Sequence, residues 1–65
     1  MRLIVNGQEL TSEATTLASL VSEREMEGRW FATALNGTFV PADQREATAL
    51  SEGDRVEILS PMQGG

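Results

Sequence analysis

Residues 2–10 read RLIVNGQEL: an aliphatic run, an Asn-Gly pair and a second short run. A two-residue type I′ turn needs φ > 0 at both central positions, and Asn-Gly meets that demand at little steric cost. The stretch therefore predicts a β-hairpin with strands at 2–5 and 8–11. The pattern recurs downstream, where FATAL at 31–35 meets Asn36-Gly37 and then TFVP at 38–41. This second hairpin should stop at Pro41, which has no N–H to give to a ladder.

Between the hairpins the periodicity changes. In TTLASLVSERE, residues 15–25, Leu17, Leu20 and Val21 stand at i, i+3 and i+4 and share one helical face. Thr15 or Thr16 is the expected N-cap and Gly28 the expected stop, with Ser22, Glu23 and Glu25 toward water. Glu23, Glu25 and Glu27 then form a solvated helix end. Residues 42–50 are mostly polar and predict an irregular segment with one helical turn. Ser51-Glu52-Gly53-Asp54 is a turn, with Asp54 after Gly53 read as turn chemistry, and Arg55–Leu59 alternates polar and apolar as a last strand.

The order hairpin, helix, hairpin, connection, strand predicts an α+β domain: a mixed sheet of four to five strands with one main helix across one face. Leu3, Val5, Val56 and Ile58 should face Leu17, Leu20 and Val21. The expected organisation is a single domain over 1–59 followed by a flexible tail over 60–65. At 65 residues and 40% hydrophobic content the core is small but real.

Composition removes several function classes. The chain has no His, Cys or Tyr, so the usual neutral-pH acid–base group and the thiolate nucleophile are missing. Cysteine-based metal sites and disulfides are excluded, and no metal site is expected. These absences argue against a stand-alone enzyme; chemistry involving this chain would be done by a partner. Ten acidic residues against five arginines, with no lysine, give a net charge of −5. That sign opposes a phosphate-binding surface, so no nucleic acid is expected, and it suits a partner with a basic groove. Met1-Arg2 leads directly into a strand-like run, without the charged-then-apolar order of a signal, and no apolar run is long enough for a bilayer. The expectation is a cytoplasmic protein with no membrane partner.

Four segments, taken in order, carry a family resemblance. They are the opening Met-x-Leu-x-Val-Asn-Gly (1–7), ALNGTFVP (34–41), LSEGDRVEI (50–58) and the terminal PMQGG (61–65). Together they resemble the small sulfur carriers of thiamine biosynthesis, the ThiS type, which have the ubiquitin-like β-grasp fold. The resemblance covers essentially the whole chain. One departure is visible: members of that family often carry a basic residue directly after Val-Pro, where this sequence has Ala42, and Arg45 is the nearest basic side chain beyond it.

The resemblance implies a carrier and not a catalyst. An ATP-dependent, E1-like adenylyltransferase would activate the carboxylate of Gly65 as an acyl adenylate. A persulfide derived from a cysteine desulfurase would displace AMP to leave a thiocarboxylate, which would give its sulfur to thiazole synthase. No cofactor is expected on the chain itself, since ATP belongs to the partner. The residues suit that use. Glycine has no Cβ, so Gly64 and Gly65, preceded by Met62 and Gln63, can thread a narrow channel and adopt the φ and ψ the partner dictates. The bland alternative is a frayed end or a cloning remnant. Rival uses of the same fold are a molybdopterin-synthase-type sulfur carrier subunit, a ubiquitin-like modifier, and a non-covalent binding module.

Alternation also predicts what lies on the uncovered face of the sheet. With Leu3, Val5, Val56 and Ile58 inward, Ile4 and Leu59 point out. If Ala32 and Ala34 pack under the helix, Leu35 joins them, although the strand over 31–35 admits the opposite phase. Ile4, Leu35 and Leu59 would then form an apolar patch that docks the adenylyltransferase. Trp30, the one tryptophan, reads as partly buried packing, with an interface anchor as the alternative.

Overall fold

In a computed structural model the described residues are 1–24 and 30–60. They form β1 (Arg2–Val5), β2 (Gln8–Thr11), α1 (Leu17–Glu23), β3 (Ala32–Leu35), β4 (Thr38–Val40), a 3-10 turn (Ala42–Gln44) and β5 (Arg55–Leu59). Both Asn-Gly pairs make the turns expected of them. Asn6 and Asn36 have φ of 51° and 50°, and Gly7 and Gly37 have φ of 82° and 85°. The five strands lie in the order β2-β1-β5-β3-β4. β5 runs parallel to β1 and antiparallel to β3, so it joins the two hairpins into one mixed sheet.

The helix is shorter than the periodicity over 15–25 suggests, and its start explains why so short a helix persists. Thr16 is the N-cap: its Oγ1 accepts from the Ser19 N–H at 3.2 Å, and Ser19 Oγ accepts from the Thr16 N–H at 3.1 Å. The next two donors are met from the connection, Leu17 N–H by the Thr48 carbonyl and Ala18 N–H by the Arg45 carbonyl. The first-turn N–H groups of Leu17, Ala18 and Ser19, which have no intrahelical acceptor, are therefore each satisfied. At the other end the Arg24 N–H is shared between the carbonyls of Leu20 and Val21, which tightens the last turn. Gly28, the expected stop, and Glu25 and Glu27 lie outside the described residues.

Leu3, Val5, Leu17, Leu20, Val21, Val56 and Ile58 are all buried, as the alternation and the helical spacing require. Ala14, Val40 and Leu50 complete the cluster. Burying each large aliphatic side chain contributes about 1.5–3 kcal/mol, so this one layer carries the fold.

The phase of β3 is a correction. Ala32 and Ala34 do not pack under the helix; Thr33 does, at 1% exposure, and Phe31 and Leu35 pack against the same core. Cross-strand register shows the reason. Thr33 pairs with Val40 on one side and Ile58 on the other, both of them buried, and paired residues share a face. Leu35 therefore belongs to the covered face and is not part of any outward patch.

Candidate functional site

The uncovered face of the sheet is assembled by the same register. Ile4 pairs with Arg55, Ala32 with Leu59, and Ala34 with both Glu57 and Phe39. Ile4, Ala32, Ala34, Phe39 and Leu59 thus share the face opposite the helix. Phe39 is 65% exposed and Leu59 66%. The patch keeps two of the three predicted members, Ile4 and Leu59, and replaces Leu35 with Phe39. A signal for Phe39 was available: a two-residue loop at 36–37 forces 34 to pair with 39, so placing Val40 in the core puts Phe39 outside.

Charge borders the apolar strip on its β1–β2 side. Arg2 Nε lies 3.1 Å from Glu9 and 3.6 Å from Glu52, in exposed pairs worth little to stability. Trp30 is 69% exposed, which sets aside the expectation that it is partly buried.

The loop after Val40-Pro41 offers no free cation near Ala42. Arg45 turns inward: its Nε donates to Thr33 Oγ1 at 3.0 Å, its terminal nitrogen donates to the Phe31 carbonyl at 2.9 Å, and its guanidinium carbon lies 4.1 Å from the Phe31 ring centre. Burial lowers its pKa from the usual arginine value. This arginine is spent on the fold and does not stand in for a basic residue at position 42.

Nothing among the described residues is arranged for covalent catalysis or metal binding. A serine hydroxyl does meet a carboxylate at Ser12, whose Oγ donates to Glu23 Oε1 at 2.7 Å. The Ser12 Oγ in turn accepts the Ala14 N–H at 2.9 Å, and Ser12 is buried, so the pair closes the entry to the helix. No group of three His, Cys, Asp or Glu side chains able to hold a metal occurs among the described residues. Among them, too, no helix is long and apolar enough to cross a membrane.

The carboxyl-terminal strand that leads to Met62, Gln63, Gly64 and Gly65 is β5, and these four residues lie outside the described residues. β5 is held on both sides. β3 pairs with it through Ala32–Leu59, Thr33–Ile58, Ala34–Glu57 and Leu35–Val56, while on the opposite edge β1 pairs only as far as Val56. Beyond that, the side chain of Asn6 takes over. Its Nδ2 donates to the Ile58 carbonyl at 3.1 Å and its Oδ1 accepts the Ile58 N–H at 2.8 Å. Leu59, at the end of the strand, carries one of the two large side chains of the apolar patch.

Comparisons with known proteins point one way. The sequence model described as "ThiS family" matches residues 2–65. A thiazole synthase of Paramagnetospirillum magneticum is 32% identical over 66 residues; all of this chain is covered, and it spans 20% of that protein's length. The crystal structure of a thiamine biosynthesis protein, ThiS, from Geobacter metallireducens superposes with a TM-score of 0.83 at 30% identity, covering 100% of both chains.

Proposed function

The chain belongs to the ThiS family, and from that premise we propose that it is a sulfur carrier of thiamine biosynthesis, a substrate of other enzymes and not itself a catalyst. The observation that supports this most is the family match over nearly the whole chain, together with the full-length structural likeness to a ThiS protein. The missing His and Cys agree with it, since a carrier needs no acid–base group of its own.

The proposed course of the chemistry is as follows. A carboxylate oxygen of Gly65 attacks the α-phosphorus of ATP within an E1-like adenylyltransferase; pyrophosphate leaves and an acyl adenylate forms. The terminal sulfur of a persulfide, supplied through a cysteine desulfurase, attacks the acyl carbon and expels AMP. A thiol then cleaves the resulting S–S bond by exchange, forming a disulfide with the donor sulfur and leaving the thiocarboxylate on Gly65. Thiazole synthase accepts that sulfur. The similarity of this whole chain to a segment of a protein named thiazole synthase supports that choice of acceptor.

This chain's own contribution is a handle and a tether. The strip of Phe39, Leu59, Ala32, Ala34 and Ile4 is the proposed docking surface for the adenylyltransferase, since exposed apolar groups of this kind gain most from being covered. Met62, Gln63, Gly64 and Gly65 are the proposed tether, with two residues lacking a Cβ next to the reacting carbon.

The test is intact-mass analysis after incubation with ATP, the cognate adenylyltransferase, a cysteine desulfurase and cysteine. The expected product has one terminal oxygen replaced by sulfur. An unchanged mass, with thiazole formation supported equally well by a chain lacking Gly65, would refute the carrier role.

A further inference from the structure

We infer that Asn6 is a positioning residue for the chemistry at Gly65, acting through β5; this rests on the sulfur-carrier reading above. β1 ends at Val5 because the chain must turn at Asn6-Gly7 to form the first hairpin. The parallel ladder with β5 therefore stops after Ile4 N–H to the Asp54 carbonyl and Asn6 N–H to the Val56 carbonyl, both 2.9 Å. On that edge the backbone of Ile58 faces no strand. The Asn6 carboxamide fills the gap, presenting one donor and one acceptor to the C=O and N–H of the same residue, as a further strand residue would.

The turn alone does not account for asparagine at position 6. A positive φ is met by Gly, Asn or Asp. Of these only Asn offers both a donor and an acceptor. The second hairpin repeats the device at the far end of the same strand: Asn36 Oδ1 accepts the Arg55 N–H at 2.9 Å, and Asn36 Nδ2 donates to Asp54 Oδ1 at 3.1 Å. The two turns clamp β5 at its two ends, and the Asn6 clamp is the one beside the tail.

Gly65 lies seven positions beyond Ile58 in the sequence. Such a tether reaches at most about 24 Å, and each residue that peels from β5 lengthens it. A longer tether lowers the concentration of its end at a fixed target, and small misplacements of a reacting group are costly in rate. Losing the clamp should therefore slow adenylation, while Ile4, Ala32, Ala34 and Phe39, on the other strands, keep the docking face able to bind.

The experiment compares wild type, Asn6→Gly and Asn36→Gly, which keep both turns feasible, with Asn6→Asp as a second variant that keeps the acceptor and the turn. Three quantities are measured: amide hydrogen exchange along β5, ATP–pyrophosphate exchange catalysed by the cognate adenylyltransferase, and affinity for that enzyme by calorimetry. In Asn6→Gly, exchange at Ile58 should rise about tenfold, as expected when a local hydrogen bond is lost, while Val56 stays protected. The kcat for pyrophosphate exchange should fall about fivefold with the Kd unchanged. Asn36→Gly should leave both constants as in wild type, and Asn6→Asp, which keeps the acceptor for the Ile58 N–H and loses only the donor to its carbonyl, should fall between wild type and Asn6→Gly. Wild-type kcat in both Asn6 variants would overturn the inference, and so would an equal fall in Asn36→Gly, which would mark a general loss of stability. If the wild type itself is never adenylated, the carrier reading fails first and takes the inference with it.

Discussion

The Nε of Arg45 donates to the hydroxyl of buried Thr33 at 3.0 Å, across twelve residues of sequence. The same hydroxyl donates to the Val40 carbonyl at 2.8 Å, so its donor and acceptor functions are both used. Together with the bond to the Phe31 carbonyl and the contact over the Phe31 ring, the arginine ties the connection after β4 to the start of β3. Arg45→Met keeps the apolar stem and removes all three interactions. The expected loss is about 2–3 kcal/mol in urea unfolding, combining hydrogen bonds to a charged donor with a partly desolvated cation–π contact. Arg45→Lys should recover less than half of it, because an ammonium cannot reproduce the planar fork. A loss under about 0.5 kcal/mol for Arg45→Met would place Arg45 among ordinary surface side chains.

Leu35 packs against the core and Phe39 stands exposed on the uncovered face, where an outward Leu35 is one of the two phases the sequence admits. Leu35→Asp puts a carboxylate against the core and should cost about 2–4 kcal/mol, read as a lower melting temperature. Phe39→Asp changes an exposed side chain and should cost under about 1 kcal/mol, while weakening the complex with the adenylyltransferase tenfold or more, as loss of a central aromatic does. Thermal melts and calorimetric titration of both variants decide the matter. A folded, non-binding Leu35→Asp beside a binding Phe39→Asp would restore the opposite phase for β3.

Why the rest of the fold was readable and this strand was not comes down to local against distant causes. The hairpins follow from Asn-Gly dipeptides, the helix face from three aliphatic residues at helical spacing, and β5 from strict alternation in RVEIL; each signal lies within one element. In FATAL both phases offer apolar side chains, and the buried phase carries a threonine at its centre. A buried hydroxyl is tolerated because Arg45 and the Val40 carbonyl satisfy it, and Arg45 lies on a segment that gives no regular pattern. Likewise the two asparagines were legible as turn formers, but their grip on β5 depends on which strand lies between the hairpins. The tail was read only as chemistry, because two terminal glycines suggest a use and no packing, and residues 61–65 lie outside the described residues.

The N-cap offers a separate test of local structure. α1 has only seven residues, too few to be stable without its cap and its packing. Thr16→Ala removes the acceptor for the Ser19 N–H and should cost about 1 kcal/mol. Thr15→Ala keeps the carbonyl that accepts the Leu50 N–H, so the change should stay within about 0.5 kcal/mol. Parallel urea titrations of the two variants distinguish the cap; equal losses would show that Thr16 Oγ1 contributes nothing particular.

The carrier role makes its sharpest demand at Gly64. A side chain there would have to pass wherever the partner's channel narrows next to the reacting carboxyl, and a β-branched one would also restrict the backbone. For a position in the proposed tether, Gly64→Val should therefore leave the melting temperature unchanged within about 2 °C, the shift that about 0.3 kcal/mol produces in a domain this small. The same variant should lower the rate of ATP–pyrophosphate exchange about a hundredfold or more, the scale of loss when a reacting group is held out of place. Its affinity for the adenylyltransferase, measured without ATP, should change far less, because the proposed docking strip is untouched. Normal turnover by Gly64→Val would mean that the tail enters no constricted site, and the choice of glycine would then need another cause.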